Sequence, residues 1–345
     1  MQGQSDDPTA GHTLNWTKGV LLQPQGDDTF VSPCLPVGVG CNTFVKALID
    51  DSQWQLGANS VVSDSKGWVV FPFFFSTAGR YEYIRAVPSR ALGNTRDIVV
   101  YVPPSFDENP YKLYDHLLVM HDGENLFNAS TAFSGVAWRV QDSVDSLVRE
   151  GRIPEVVVVG VDNTARRIFE YTYVPDPKYG PDGGGADVYL DFIESTVIPL
   201  VKSKFRLADS SDVGTVGSSL GGLLSCYAGW TRPQVYSRVG CMSPSVWWNS
   251  QDFNRTILKR PFLGTPGRLY LDSGDADGDA GQIEPDTKQC VATIQMLPQW
   301  LPGQNLFYYL AKGAGHNEKD WGRRFRIPME ALYEPNPSVT AEWPV

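Results

Sequence analysis

Basic residues are scarce in this chain. Lys and Arg number 29 against 39 Asp and Glu, a formal charge of −10 over 345 residues, and no long run of either sign interrupts the balance. Long-range repulsion therefore excludes nucleic acid and anionic membrane surfaces as partners. Long apolar runs are missing as well: the longest, 68–75, is broken by Pro72 and falls far short of the ~20 residues a membrane helix needs. Histidine is limited to four residues and cysteine to five, with no CxxC or Cys/His array, which excludes a structural zinc. Cys34 and Cys41 lie close together in a Pro/Gly-rich loop that permits a small disulfide, whereas Cys226, Cys241 and Cys290 fall in segments that read as buried. Residues 1–10 lack the apolar core of a signal peptide, as a mature secreted chain also would. The compartment stays open, leaning to the outside of the cell.

What the chain does have is core: 42% of its residues are hydrophobic and 12% aromatic, enough for one large domain and a smaller one. Residues 1–88 show no helical period and read as short strands at 19–22, 43–49, 68–75 and 80–84, a β-sandwich-like accessory domain. From about Asp97 apolar strand runs alternate with amphipathic helices, which is how a mostly parallel sheet covered on both faces is written. The expected strands are 98–102, 116–120, 155–161, 213–216, 239–243, 268–272 and 305–311; the expected helices are 136–148, 188–205, 220–230 and 286–300. Residues 89–345 thus form an α/β domain with a mostly parallel central sheet.

Chemistry concentrates at four places along this second domain. Gly217-Ser218-Ser219-Leu220-Gly221 matches GxSxG, follows the strand 213–216 and opens a helix. Strand, tight turn and helix together hold a serine in a strained, exposed conformation. Ser219 then needs a base to take its proton. Of the four histidines, His12 lies in the polar tail and His116 begins a strand; His121 ends that strand and is placed to line a site. His316 follows the last strand directly and is the expected base. The order Ser, acid, His points to the loop after the strand 268–272, where Asp275, Asp277 and Asp279 crowd together. Asp277, three residues after Gly274, is the expected acid, with Asp275 next. An oxyanion needs two backbone N–H groups. Leu220, just after the serine, supplies one; the turn after the strand ending at Met120 supplies the other, assigned to Glu124 with Gly123 as the alternative.

The motifs His121-Asp122-Gly123-Glu124-Asn125-Leu126-Phe127, Gly217-Ser218-Ser219-Leu220-Gly221-Gly222, Ser243-Pro244-Ser245-Val246-Trp247-Trp248 and Gly315-His316, in this order, resemble the putative-esterase family of α/β-hydrolases. That family includes enterochelin (siderophore) esterases, feruloyl esterases, S-formylglutathione hydrolases and mycolyltransferases. The resemblance covers residues 95 to 335 and implies an α/β-hydrolase fold and a serine esterase with Ser219 as nucleophile and His316 as base. It places the acid at a Gly-x-x-Asp position, here Gly274 to Asp277. Glu124 stands where the family often shows Gln. Some enterochelin esterases also carry a β-rich N-terminal domain, which residues 1–88 would match.

Substrate contacts are expected from Trp247 and Trp248, at the end of a strand beside the elbow, from Arg166 with its neighbour Arg167, and from His121. Indole faces and a net negative chain favour a neutral aryl, feruloyl-type or carbohydrate-linked ester over an anionic siderophore. An acyltransferase with the same triad is the competing enzyme, and a binding protein on a hydrolase fold the competing non-enzyme. The partner is a small-molecule ester, and the acyl-transfer chemistry requires neither cofactor nor metal.

Overall fold

A computed structural model describes residues 2–5, 16, 19–27, 29–33, 43–62, 69–335 and 337. The chain divides into two compact units: Met1–Gly79 with Pro104–Lys112 and Val148–Gly151, and Arg80–Pro103 with Leu113–Leu147 and Arg152–Val345. Cys34 and Cys41 lie outside the described residues, and so does the disulfide expected between them.

In the first unit the described residues form small antiparallel sheets. Strands Gln2–Ser5 and Ser60–Val62 flank Thr43–Lys46, whose Thr43 and Val45 are buried while Phe44 is exposed, the period-two pattern of a half-buried strand. Two ribbons, Gln23–Gly26 with Thr29–Val31 and Leu48–Ile49 with Gln53–Trp54, complete it. The strand expected over 68–75 is absent from its described part, 69–75. Pro72 has no N–H to give a ladder. The Glu108 carboxylate instead accepts the N–H groups of Phe74 and Phe75, and Asn109 Nδ2 donates to the Pro72 carbonyl at 2.9 Å.

The second unit is built on eight strands: β1 Arg80–Ser89, β2 Asn94–Val102, β3 Tyr114–His121, β4 Val157–Val161, β5 Leu207–Ser218, β6 Tyr236–Met242, β7 Arg268–Gly274 and β8 Leu306–Ala311. Their order across the sheet is β8-β7-β6-β5-β3-β4-β2-β1. Pairing is parallel from β8 to β4 and antiparallel where β2 meets β4 and β1. The segment expected at 80–84 in the N-terminal module is therefore the start of β1, an edge strand of the large sheet. Alternating Tyr81 and Tyr83 suit either sheet; what decides is the ladder with β2 and the stacking of Tyr81 on Phe127, ring centroids 5.1 Å apart.

The central strands are buried on both faces. Leu117 to Met120 and Val156 to Val159 are 0% exposed, the continuous apolar runs of a parallel sheet sandwiched between helices, and the antiparallel β2 is as fully buried from Ile98 to Val102. The longer helices are α1 Val140–Arg149, α2 Ala186–Phe192, α3 Ile198–Lys204, α4 Leu220–Thr231, α5 Glu284–Ile294, α6 Glu318–Arg324 and α7 Arg326–Tyr333, with a wider π turn, Ile193–Val197, joining α2 to α3 and two five-residue helices at Arg167–Tyr171 and Trp248–Asp252. A buried disulfide, Cys226–Cys241, ties α4 to β6. The sequence reading placed both cysteines in the core without pairing them. Because parallel strands share a direction, the carboxyl ends of β3, β5, β6, β7 and β8 meet at one edge, where such sheets carry their sites.

Candidate active site

Ser219 occupies the turn between β5 and α4 with φ 57° and ψ −123°, a conformation a non-glycine residue holds only when its surroundings fix it. The fixing groups are visible. The Ser219 N–H donates to the Met242 carbonyl at 3.1 Å, and the Ser219 carbonyl accepts from Leu223 and Ser245 N–H at 3.0 and 2.9 Å. Two glycines make room: a Cβ on Gly217 would lie 2.5 Å from the Gly221 backbone, and one on Gly222 2.8 Å from the Met242 oxygen.

His316 lies between β8 and α6, one residue before Asn317, whose side chain accepts the Asp320 N–H as the helix cap. Its own N–H donates to the Asp277 carbonyl at 2.8 Å, and its ring meets Trp321 edge-on with centroids 4.8 Å apart. Nε2 stands 2.9 Å from Ser219 Oγ, and Nδ1 stands 2.6 Å from Asp279 Oδ1.

The carboxylate on the histidine is thus Asp279, not Asp277. Asp275 and Asp277 are exposed, whereas the Asp279 side chain is 0% exposed. Gly278, with φ 86°, reverses the chain after Asp277, so Asp277 contributes its carbonyl to His316 and Asp279 turns inward. Oδ2 of Asp279 accepts from the Gly274 N–H and from Ser243 Oγ, both at 2.6 Å. Burial alone would raise its pKa; the hydrogen bonds from His316, Ser243 and Gly274 outweigh that and hold it below the usual carboxylate range.

Leu220 is the first residue of α4, so its N–H has no acceptor within the helix and points out of its amino end. Glu124 sits in a single 3₁₀ turn, Gly123–Asn125, entered through Asp122 at φ 56°. Arg167 grips both oxygens of Asp122 at 2.7 Å, Asn163 Nδ2 donates to the same carboxylate at 2.7 Å, and the Asp122 N–H donates to Tyr171 Oη at 3.0 Å. The Glu124 carboxylate accepts the Asn163 N–H at 3.0 Å and the Asn163 side-chain amide, and its own N–H faces it. The amide assigned to the oxyanion is therefore shared with a carboxylate.

Burial, followed by the charge of Asp122, raises the Glu124 pKa to about 7. A carboxyl that prefers its proton when folded loses stability as pH climbs from the unfolded value of ~4.3 toward 7 and carries the full cost above it. Glu124→Gln should remove that cost. Its melting temperature should exceed the parent's at pH 8, by ~2–4 °C for each kcal/mol recovered, and the difference should vanish at pH 4. Equal melting curves at both pH values would contradict the assignment.

The remaining expected contacts divide. Trp247 is half-buried and packs on Tyr179 with centroids 5.6 Å apart; it lies two residues beyond Ser245, whose Oγ is 3.3 Å from Ser219 Oγ. Trp248 is 1% exposed and its indole N–H donates to the Val174 carbonyl at 2.7 Å, so it belongs to the core rather than to a substrate surface. His121 is a correction of the same kind: 2% exposed, with Nδ1 3.3 Å from Tyr189 Oη and Nε2 3.2 Å from Thr215 Oγ1. Burial lowers its pKa to about 4, so it is a neutral structural ring. Arg166 is exposed with its guanidinium 4.1 Å from the Phe169 ring centroid, and the charge of Arg167 is taken up by Asp122. Ser245 and Ser243 are site residues that the sequence alone does not single out. The signal available was Ser-Pro-Ser at the carboxyl end of the strand next to the elbow.

A family model described as Putative esterase matches residues 89–329. The siderophore triacetylfusarinine C esterase of Aspergillus fumigatus is 37% identical over 141 residues, 39% of this chain and 45% of that protein; the match thus spans less than half of that relative. Among solved structures, the siderophore hydrolase EstB from Aspergillus nidulans superposes with a TM-score of 0.57 at 21% identity, covering 79% of this chain and 100% of its own. A ferulic acid esterase superposes at 0.54 with 17% identity, covering 73% and 98%. The fold is that of the α/β-hydrolases.

Proposed function

This chain belongs to the putative-esterase family, and from that premise we propose that it is a serine esterase working through an acyl-enzyme on a siderophore ester. The observation that carries the mechanism is the unbroken line of hydrogen bonds from Asp279 through His316 to Ser219. His316 Nε2 takes the proton of Ser219 Oγ as the oxygen bonds to the ester carbonyl carbon. The Leu220 N–H receives the oxyanion, joined by the Glu124 N–H as it turns from its own carboxylate. Collapse expels the alcohol, which leaves with the proton returned by His316, and water repeats the sequence to release the acid. Asp279 holds the imidazole with Nδ1 protonated and offsets the positive charge it gains.

The siderophore reading rests on the relatives. A neutral aryl or sugar ester suits the chain's charge of −10, but five curated relatives are named as esterases of triacetylfusarinine C, enterobactin, salmochelin or bacillibactin. The half-buried Trp247 beside Tyr179 offers a ring-stacking wall, and exposed Lys178 stands next to it with its ammonium 5.3 Å from the Tyr179 ring centroid. The test compares kcat/KM for triacetylfusarinine C, enterobactin, a feruloyl sugar ester and an aryl acetate. One siderophore should exceed both other esters, with Trp247→Ala raising its KM about tenfold, the cost of one lost aromatic contact. Preference for the feruloyl sugar restores the aryl-ester reading; products carried onto an added alcohol rather than water mark an acyltransferase.

A further inference from the structure

Behind Asp279 lies a chain of buried polar groups beyond the three that face the ester. Ser243 follows β6 with φ 37° and is 0% exposed. Its Oγ has three neighbours: Asp279 Oδ2 at 2.6 Å, Arg324 Nη2 at 2.7 Å and Trp321 Nε1 at 3.2 Å. A guanidinium and an indole N–H only donate, so they occupy the lone pairs of the hydroxyl oxygen and leave its single hydrogen for Asp279. A rotor that turns freely in an ordinary serine has one orientation here.

Arg324 is fixed in turn. Its Nε and Nη2 donate to Asp272 Oδ2 and Oδ1 at 3.0 and 2.9 Å, with the two side chains 5% and 0% exposed. Asp272 Oδ1 also accepts the Ser243 N–H at 2.9 Å, and Oδ2 accepts from Tyr270 Oη at 2.9 Å. The carboxylate thus takes Ser243's backbone hydrogen while its arginine partner supplies Ser243's side-chain oxygen, closing a ring. Trp321 and Arg324 share a face of α6 at i, i+3 spacing, and α6 begins two residues after His316.

We infer that Arg324, clamped by Asp272, is a positioning residue that acts through the Ser243 hydroxyl to keep the Asp279 carboxylate aimed as an acceptor at His316 Nδ1. The inference rests on the reading of Ser219, His316 and Asp279 as the reacting triad. The ion pair has a second consequence: Arg324 brings positive charge behind an acid whose own burial opposes ionisation, and Asp272 keeps that charge from standing alone in the core. Tyr308, which also feels the Asp279 charge, and Tyr270, on Asp272, are both held neutral by burial.

The test uses the rate of fluorophosphonate labelling across pH, which needs no knowledge of the ester. Ser243→Ala should label ~10-fold or more slowly at neutral pH. A carboxylate short of one donor is more basic and holds the imidazolium more tightly, so the acid limb of the profile should move to higher pH. Because Arg324→Met alone leaves Asp272 unpaired, the paired change Asp272→Asn with Arg324→Gln serves instead. Adding it to Ser243→Ala should slow labelling by no more than about twofold further, since Arg324 works mainly through that hydroxyl and the paired change removes one charge of each sign. Unchanged rate and acid limb in a folded Ser243→Ala, or full additivity with the paired change, overturns the inference. A parent protein that does not label at Ser219 overturns the triad reading instead.

Discussion

Ser219→Ala is expected to leave a folded protein with no measurable ester turnover, a loss of about five to six orders of magnitude in kcat. Among the described residues Oγ hydrogen-bonds to His316 at 2.9 Å and Ser245 at 3.3 Å, and removing one oxygen opens no cavity of consequence. Alanine meets the same strain at φ 57°, so the elbow should persist and the melting temperature should stay within a degree or two of the parent's. A fluorophosphonate should add once per chain, at Ser219. Ser218 is the internal control: it is adjacent in sequence but 5% exposed at the end of β5. Peptide mapping that finds the label on Ser218, or turnover that survives in Ser219→Ala, sinks the mechanism.

The second large effect separates two aspartates two residues apart. Asp279→Asn should lower kcat by about 10³–10⁴, because an amide at His316 Nδ1 favours the wrong tautomer while leaving geometry nearly intact. Asp277→Asn should change kcat by about twofold or less, since only its backbone carbonyl touches His316. The same holds for Asp275→Asn, whose carboxylate accepts the Gly313 N–H at 2.6 Å on the surface. A damaging Asp277→Asn beside a harmless Asp279→Asn would reverse the assignment, and steady-state kinetics of the three variants decide it.

Those aspartates mark where the sequence stops being legible. The elbow could be read because GxSxG carries its reason locally, in glycines whose Cβ atoms would strike backbone. His316 could be read because it is the one histidine after the last strand. The carboxylate that meets His316 could not: three share a glycine-bearing loop, and which of them turns inward depends on Gly278 at φ 86° and on partners 36 and 37 residues distant, Ser243 and His316. Trp248 and His121 failed for a related reason. Each stands next to residues of the site, and only tertiary packing says that their rings point into the core. At the first boundary, β1 has the same alternation an accessory sheet would show, and nothing short of its pairing partner distinguishes the two.

Four consecutive residues, Met242 to Ser245, touch both ends of the reacting line. Met242 accepts the Ser219 N–H, Ser243 holds Asp279, and Ser245 grips the Ser219 carbonyl and approaches its hydroxyl. The proposed nucleophile and the carboxylate on His316 are thus gauged from one short stretch of backbone, like two jaws bolted to the same plate. The path between Gly274 and Asp279 need only deliver a carboxylate to that plate, and its own length is secondary. Insertions or deletions there should be tolerated in evolution so long as Ser243 and the Gly274 N–H still meet an acid, whereas one residue gained or lost between Met242 and Ser245 would separate the jaws. In this chain counting residues from Gly274 is therefore a poor guide to the carboxylate that meets His316, and the Ser-Pro-Ser step is the better landmark.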